Sequence, residues 1–452
     1  MLPTVEALAA DLAAGRTTSV ELTTAALARA ADPVGEGARV FTHIDAERAL
    51  VLARASDALR RIGPARSPLD GLPVSMKDLF DIAGQTTCAG SVLLRDAPPA
   101  ARNATVVDRL QAAGAVIVGR TNMTEFAYSG LGINPHHGTP RNAWDRIGGR
   151  IPGGSSSGAA VSVTDGMAVA AVGTDTGGSV RIPAALCGLA GYKPTARRVP
   201  MDGVLPLSAA LDSVGPLAAS VRCCAIVDAV LSGEPVAAPD AADLVDARLA
   251  IPDEVVLDDL DADVAGAFEA ACRILTAAGA RIRRISIPEL AELPALHARG
   301  TFTAAEAWAW HRQHIETRAS AYDPRVVSRI QLGARMTAAD LIDLVAARRR
   351  WIAAVSSRIG GIDALLMPTV PWVAPHIATL VQDEAAYYRA NGLMLRNPTF
   401  INFLDGCALS LPCQAPGAPP VGLMLAAAGG RDAQILALGQ AVEAALARGF
   451  AV

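Results

Sequence analysis

Apolar positions along this chain fall into short runs separated by breaks rich in Gly, Pro and Ser, and each run predicts an element. Thr18-Ser19-Val20-Glu21 reads as a capping box that opens a helix through about Ala30. A second helix is expected over residues 45–61, stopped by Gly63-Pro64. The run Leu72-Pro73-Val74-Ser75-Met76-Lys77 predicts a strand that delivers Lys77 at its carboxyl end. Thr105 to Ala113 predicts a helix closed by Gly114, and Val116-Ile117-Val118 a buried strand. From Asn134 to Gly158 the pattern is that of a loop, after which Ser156 and Ser157 stand where a helix through Val163 wants its N-cap. Ser232 to Asp246 is the best linker candidate. Beyond it, Arg248 to Ile251, Asp263 to Ala278 and Arg281 to Ile287 predict a β-α-β unit. Residues 301–358 read as helical, Leu365 to Met367 and Val421 to Leu425 as strands, and Ala433 to Ala447 as a final helix. This order predicts an α/β fold with one large sheet and helices on both faces.

Composition narrows the class. Apolar residues are 51% and charged residues 19% of 452, enough for a large core. With 40 basic against 44 acidic residues the net charge is −4, which offers no electrostatic footprint for nucleic acid or an anionic membrane. Seven scattered cysteines without C-x-x-C spacing argue against a disulfide framework and a zinc site. The first dozen residues carry Glu6 and Asp11 and lack a basic leader, and no run of about 18 apolar residues occurs. A soluble cytoplasmic protein is the expectation. Length alone predicts about three domains.

Three segments carry candidate chemistry. Gly153-Gly154-Ser155-Ser156-Ser157-Gly158 reads as a flexible loop or as a phosphate cradle at a helix start, but no Gly-Lys-Ser/Thr follows. Gly154-x-Ser156-x-Gly158 also matches a nucleophile elbow, yet Arg150-Ile151-Pro152-Gly153 cannot supply the strand that motif needs. In Gly173-Thr174-Asp175-Thr176-Gly177-Gly178-Ser179-Val180-Arg181, two glycines before a serine allow successive amides to face one space, as an oxyanion hole requires; a tight turn is the alternative. Lys77 alone reads as a surface charge. The three change meaning when taken together, with Lys77 78 positions before Ser155 and Ser179 24 after it.

The run GGRIPGGSSSGAAVSV…AVGTDTGGSVRIPAALCGLAGYKPT resembles the signature of the amidase signature hydrolases. The likeness extends through PLDGLPVSMKDLFDIAG, VGRTNMTEFAYSGLG, ALLMPTVP and NFLDGCALSLPC, so it covers nearly the whole chain. It implies a single amidase signature domain over 1–452, with a large mixed sheet covered by helices on both faces. N-terminal helices would span about 1–62, a signature core about 68–230, a variable α/β and helical region about 247–360, and C-terminal strands and a helix about 361–452. It further implies a Ser–cis-Ser–Lys triad: Ser179 as nucleophile, Ser155 as bridge after a cis Gly154–Ser155 peptide, and Lys77 as base. The backbone of Thr176, Gly177, Gly178 and Ser179 would form the oxyanion hole, with Asp175 and Arg181 as loop supports. A lysine base must be neutral, so Lys77 is expected to be buried. Ser157 departs from the glycine that many members carry.

Other positions are less specific. Met123, Tyr128 and Gly130 match a segment bordering the acyl pocket, with a core-packing helix as the alternative. Trp372 falls in a stretch that often lines the leaving-group side in this family. Trp308, Trp310 and His311 read as a packing face, and His136-His137 as loop packing. The expected substrate is a small amide, ester or carbamate, with no cofactor, no metal, no nucleic acid and no membrane, in a monomer or homodimer. Two competing readings remain: the glutaminase component of a tRNA-dependent amidotransferase, and an inactive binding protein, which the intact Lys77, Ser155 and Ser179 oppose. A carboxylate-bearing substrate would need a pocket arginine beyond Arg181, which the sequence does not place.

Overall fold

The computed structural model describes residues 2–236 and 239–450. Eleven strands, numbered in chain order, are β1 Phe41–Ile44, β2 Pro73–Lys77, β3 Val116–Thr121, β4 Ala170–Asp175, β5 Ala190–Lys193 and β6 Ser213–Ala218, followed by β7 Arg248–Pro252, β8 Arg281–Ile285, β9 Ala364–Pro368, β10 Cys407–Pro412 and β11 Gly422–Ala427. They join in one sheet of order β1-β3-β2-β4-β6-β5-β10-β11-β9-β7-β8. The sheet is mixed: β2 runs parallel to β3 and β4, and β7 parallel to β8 and β9, while β4–β6, β5–β10 and β10–β11 are antiparallel.

Both faces of the sheet are covered, so its central strands are apolar on both sides. On β10 and β11, Leu409, Leu411, Leu423 and Leu425 pack into the largest core with Val221–Ser232 and Asp432–Gly449 helix residues such as Val227 and Val442. Their neighbours Ala408, Met424 and Ala426 face a second core that holds Trp351 and Phe403. Around β4, Ala171 meets the helices Ser157–Thr164 and Arg181–Cys187 through Ala160, Val163 and Ala184.

Most expected elements form. The helix Ser19–Ala31 begins with a complete Thr18/Glu21 capping box. Ala46–Arg60, Thr105–Ala112, Ala262–Ala277 and Asp432–Gly449 are helical, and β7 and β8 are the parallel strands of the expected β-α-β unit. The 301–358 stretch divides into Phe302–Arg318, Pro324–Gln331 and Ala338–Ile359, because Pro324 starts one helix and a Thr337/Asp340 capping box the next. Ser156 occupies the N-cap position, but its side chain makes no capping bond. The 232–246 linker candidate lies partly outside the described residues. All seven cysteines are free. Among the described residues, no helix is long and apolar enough to cross a membrane, and no cluster of three His, Cys, Asp or Glu is placed to hold a metal.

Candidate active site

Parallel pairing of β2 with β4 brings the carboxyl ends of two strands side by side. Lys77 is the last residue of β2, and β4 ends at Asp175, from which residues 176–180 turn into the Arg181–Cys187 helix. Ser155 lies just before the Ser157–Thr164 helix and follows a cis Gly154–Ser155 peptide. Two glycines are set by their surroundings. A Cβ on Gly154 would stand 2.4 Å from the Gly132 nitrogen, and Gly178 has φ +123° with a Cβ position 2.6 Å from Pro398.

Lys77, Ser155 and Ser179 come together in the fold. Lys77 Nζ donates to Ser155 Oγ at 2.7 Å and to Thr174 Oγ1 at 2.9 Å, with no exposed surface. Burial pulls its pKa down to about 7, against the charges of Asp212 and Asp175, which act to raise it. The Ser179 carbonyl accepts from the Ser156 amide at 3.3 Å, holding the two serine loops together. No Ser155–Ser179 side-chain hydrogen bond forms among the described residues; such contacts commonly tighten only around substrate.

Asp175 and Arg181 are fully buried and paired: Arg181 Nη2 donates to Oδ1 at 2.8 Å and Nε to Oδ2 at 3.0 Å. Burial alone would raise the carboxyl pKa, but the Arg181 charge and hydrogen bonds hold it well below the usual range. Asp175 Oδ1 also accepts from the Gly178 amide at 2.8 Å. This corrects the expected role of Gly178: its N–H is committed to the loop support, leaving Thr176, Gly177 and Ser179, whose amides make no such bond among the described residues. Their freedom is what an oxyanion site needs.

Three further residues complete the arrangement without having stood out in the sequence. Thr174 is the second acceptor for Lys77. Asp212, nearly buried, accepts from Thr176 Oγ1 and from the amides of Leu207 and Ser208 at 3.0 Å each. Asn402 donates to both the carbonyl and carboxylate of Asp175, at 3.0 and 2.9 Å, and accepts from Arg181 at 2.6 Å. Asn402 opens the NFLDGC motif, so a signal for it exists; Asp212 and Thr174 have none beyond their neighbours.

A cavity of about 490 Å³ opens over Ser179. Thr176, Gly177 and Ser179 form its floor, while Tyr128, Phe302, Arg329 and Leu395 are among its walls. Tyr128 is thus part of the cavity lining. Met123 is not: it is wholly buried in the main core. Gly130 is also outside the lining; its amide donates to Asn391 Oδ1 at 2.9 Å, and its carbonyl accepts from the Gly154 amide at 2.8 Å. Trp372 is a correction. It lines a separate surface cavity of about 380 Å³ with Thr379 and Arg389, and its indole donates to the Asp259 carbonyl. Its position after β9 carries it away from the end of the sheet where Ser179 sits. His136 packs in its loop against the buried Glu125 at 2.9 Å, and Trp310 and His311 pack on Phe126.

A sequence profile of the Amidase family matches residues 21–436. The chain is 37% identical over 413 residues to 2-amino-5-chloromuconic acid deaminase of Comamonas testosteroni, spanning 90% of this chain and 88% of the relative. It is 36% identical over 477 residues to a glutamyl-tRNA(Gln) amidotransferase subunit from Chloroflexus aggregans, spanning 97% and 96%. Among solved structures, one described as an amidase superposes with a TM-score of 0.87 at 34% identity, covering 98% of this chain and 99% of that one. The native peptide amidase of Stenotrophomonas maltophilia superposes with a TM-score of 0.79 at 27% identity, covering 98% and 96%.

Proposed function

This chain belongs to the amidase family, and from that premise we propose that it hydrolyses small amides through an acyl-enzyme on Ser179, with Ser155 and Lys77 moving the protons. The observation that carries this reading is the buried Lys77 Nζ, 2.7 Å from Ser155 Oγ. A serine hydroxyl is a poor nucleophile until a base takes its proton. Neutral Lys77 is that base. It accepts the Ser155 proton while Ser155 accepts the proton of Ser179, and Ser179 Oγ bonds to the amide carbon. The carbonyl electron pair moves onto oxygen, where the amides of Thr176, Gly177 and Ser179 stabilise the charge. Collapse of the intermediate expels the amine, which takes the proton back along the same path. Water attacks the acyl-enzyme by the same relay. Esters and carbamates that fit the cavity would acylate Ser179 in the same way.

The test is a screen of purified protein against primary amides, anilides, p-nitrophenyl esters and carbamates, with Ser179→Ala as the blank. Turnover should fall by at least about 10³-fold, as loss of a triad nucleophile does elsewhere. Full activity in that variant would overturn the assignment. The amidotransferase components among the relatives favour a second reading, a glutaminase that works inside an assembly. Size-exclusion chromatography with activity of the isolated chain on simple amides separates the two.

A further inference from the structure

The loop histidines belong to a second buried polar cluster, which shares no hydrogen bond with the Lys77, Ser155 or Ser179 side chains among the described residues. Its centre is Glu125, whose carboxylate has no exposed surface. Oε1 accepts from Ser91 Oγ at 2.6 Å and lies 2.9 Å from His136 Nε2, while Oε2 accepts from the Asp323 amide at 2.7 Å. One side chain thus ties together three distant stretches of chain. The His136 stretch is itself fixed, because the amides of His136 and His137 both donate to Asn134 Oδ1. Asp323 caps the Pro324–Gln331 helix, so holding its amide sets where that helix begins.

Two further observations connect the cluster to the cavity. Glu125 starts a single helical turn in which Phe126 and Ala127 have φ +50° and +59°, a left-handed conformation that such residues keep only where their surroundings hold them. Ala127, Tyr128 and Ser129 continue from that turn into the cavity lining. Phe126 packs instead among Trp310, His311 and Tyr322, with ring centroids 5.8, 4.4 and 5.4 Å away. Trp310 and His311 ride on the Phe302–Arg318 helix, whose other end brings Phe302, Thr303 and Ala304 to the cavity. A buried carboxylate is costly without a partner charge. His136 supplies one: its hydrogen bond to Glu125, with the Glu125 and Asp323 charges, lifts the imidazole pKa above its ordinary value, against burial and Arg95.

We propose that Glu125, paired with His136, is a positioning residue that clamps the helical wall against the Ala127–Ser129 segment and so fixes the width of the cavity over Ser179. It does this without touching what binds there, since neither side chain lines the cavity. The proposal rests on the amide-hydrolase reading and adds what sets the shape its substrate must fit.

The experiment measures KM and kcat separately for acetamide and hexanamide in the wild type, Glu125→Gln, His136→Leu and His136→Gln. The longer chain extends to the walls, whereas acetamide occupies only the floor. In Glu125→Gln and His136→Leu, KM for hexanamide should rise about tenfold and KM for acetamide by less than about threefold, with kcat within about threefold. A residue needed only for folding would lower kcat on both amides by one factor at unchanged KM, and that result overturns the proposal. Should Glu125→Gln fail to fold, the His136 variants, at a side chain 15% exposed, still decide.

His136→Gln keeps an N–H donor and loses the charge. The imidazolium contribution is full below about pH 6.5 and lost as pH rises through the raised His136 pKa. The KM ratio of His136→Gln to wild type on hexanamide should therefore be largest near about pH 6 and fall towards one at higher pH. Besides Glu125, the groups facing His136 are Asp323 and Arg95, with His137 beside it and Asp78 beyond His137. Tyr322 and Arg318 face Glu125 from the helical side, and Arg325 faces Asp323. All of them are common to both proteins, as is Lys77, so the ratio isolates His136. A ratio that stays constant with pH overturns the charged clamp. Hydrogen exchange of the amides in 125–129 and 319–331 gives an answer without turnover: rates at least about tenfold faster in His136→Leu support the clamp, and unchanged rates overturn it. Faster exchange in that variant, with no amide turnover by the wild type, sinks the amide-hydrolase reading alone. Normal turnover with unaltered exchange sinks the clamp alone.

Discussion

A lysine side chain that ends on two hydroxyls, with no surface left to water, loses the solvation that keeps an ammonium charged. With Lys77 brought down to about 7, the neutral base accumulates as pH rises, so kcat/KM should climb through about pH 7. Asp212 acts on the same equilibrium. Burial pushes it up to about 6, so it is ionised over the range in which Lys77 loses its proton. Its negative charge favours the ammonium. Asp212→Asn should therefore move the rise to lower pH, and loosening of Thr176 should lower kcat; a pH–rate series on both proteins measures the two effects. A rise that stays in place would show that Asp212 is only a structural acceptor. At this scale, what the sequence makes legible are residues inside long motifs: Lys77, Ser155, Ser179 and the Asp175–Arg181 pair. Asp212 is invisible there because its role depends on contacts across 36 residues with Thr176, and a lone aspartate before a strand looks like any turn residue. Arg329 is invisible for the opposite reason. Flanking the buried Val326 and Ile330 on its helix, an arginine reads as a side chain whose stem covers the core edge while its charge stays in water.

Elements announced by their ends are readable. The Thr18/Glu21 box is local chemistry, with the Thr18 amide donating to Glu21 at 2.9 Å and the Glu21 amide to Thr18 at 3.1 Å. Thr18→Ala should lower unfolding stability by about 1 kcal/mol in urea titration and leave kcat/KM unaltered, since the helix is remote from the cavity lining. A drop in activity at unchanged stability would contradict that separation. Elements built for the site are harder to read. β4 is Ala-Ala-Val-Gly-Thr-Asp, buried throughout, and a run of small residues carries neither a period of two nor one of 3.6. The Glu384–Phe403 helix escapes the pattern because its buried face is interrupted by Asn391, Asn397 and Asn402. Two of those asparagines serve the loops around the cavity: Asn391 accepts from Ser129 and Gly130, and Asn402 binds Asp175. Polar side chains that hold a site together erase the amphipathic pattern by which their helix would be recognised.

At the scale of the whole molecule, the sheet joins residues from Phe41 to Ala427, and its central strands are buried on both faces. We propose that the described chain folds as one unit. Calorimetry should then record a single transition with matching calorimetric and van't Hoff enthalpies; two resolved transitions would divide the molecule at the 232–246 stretch. The α/β class and the β7–β8 unit can be read from the order of elements. The strand order cannot, because β5 pairs with β10 and β9 with β11 and β7 across long separations that no local pattern encodes. The cavity shows a different division of labour along the chain. Its floor comes from residues 176–179, within the motif-rich half, whereas residues 297–304 and Arg329 to Arg335 supply much of its wall. Under the proposed function, the serine that reacts and much of the wall that meets the substrate thus come from different stretches of polypeptide. Under that reading, replacing side chains in the second stretch would change which molecules the chamber admits while the serine and lysine beneath stay as they are.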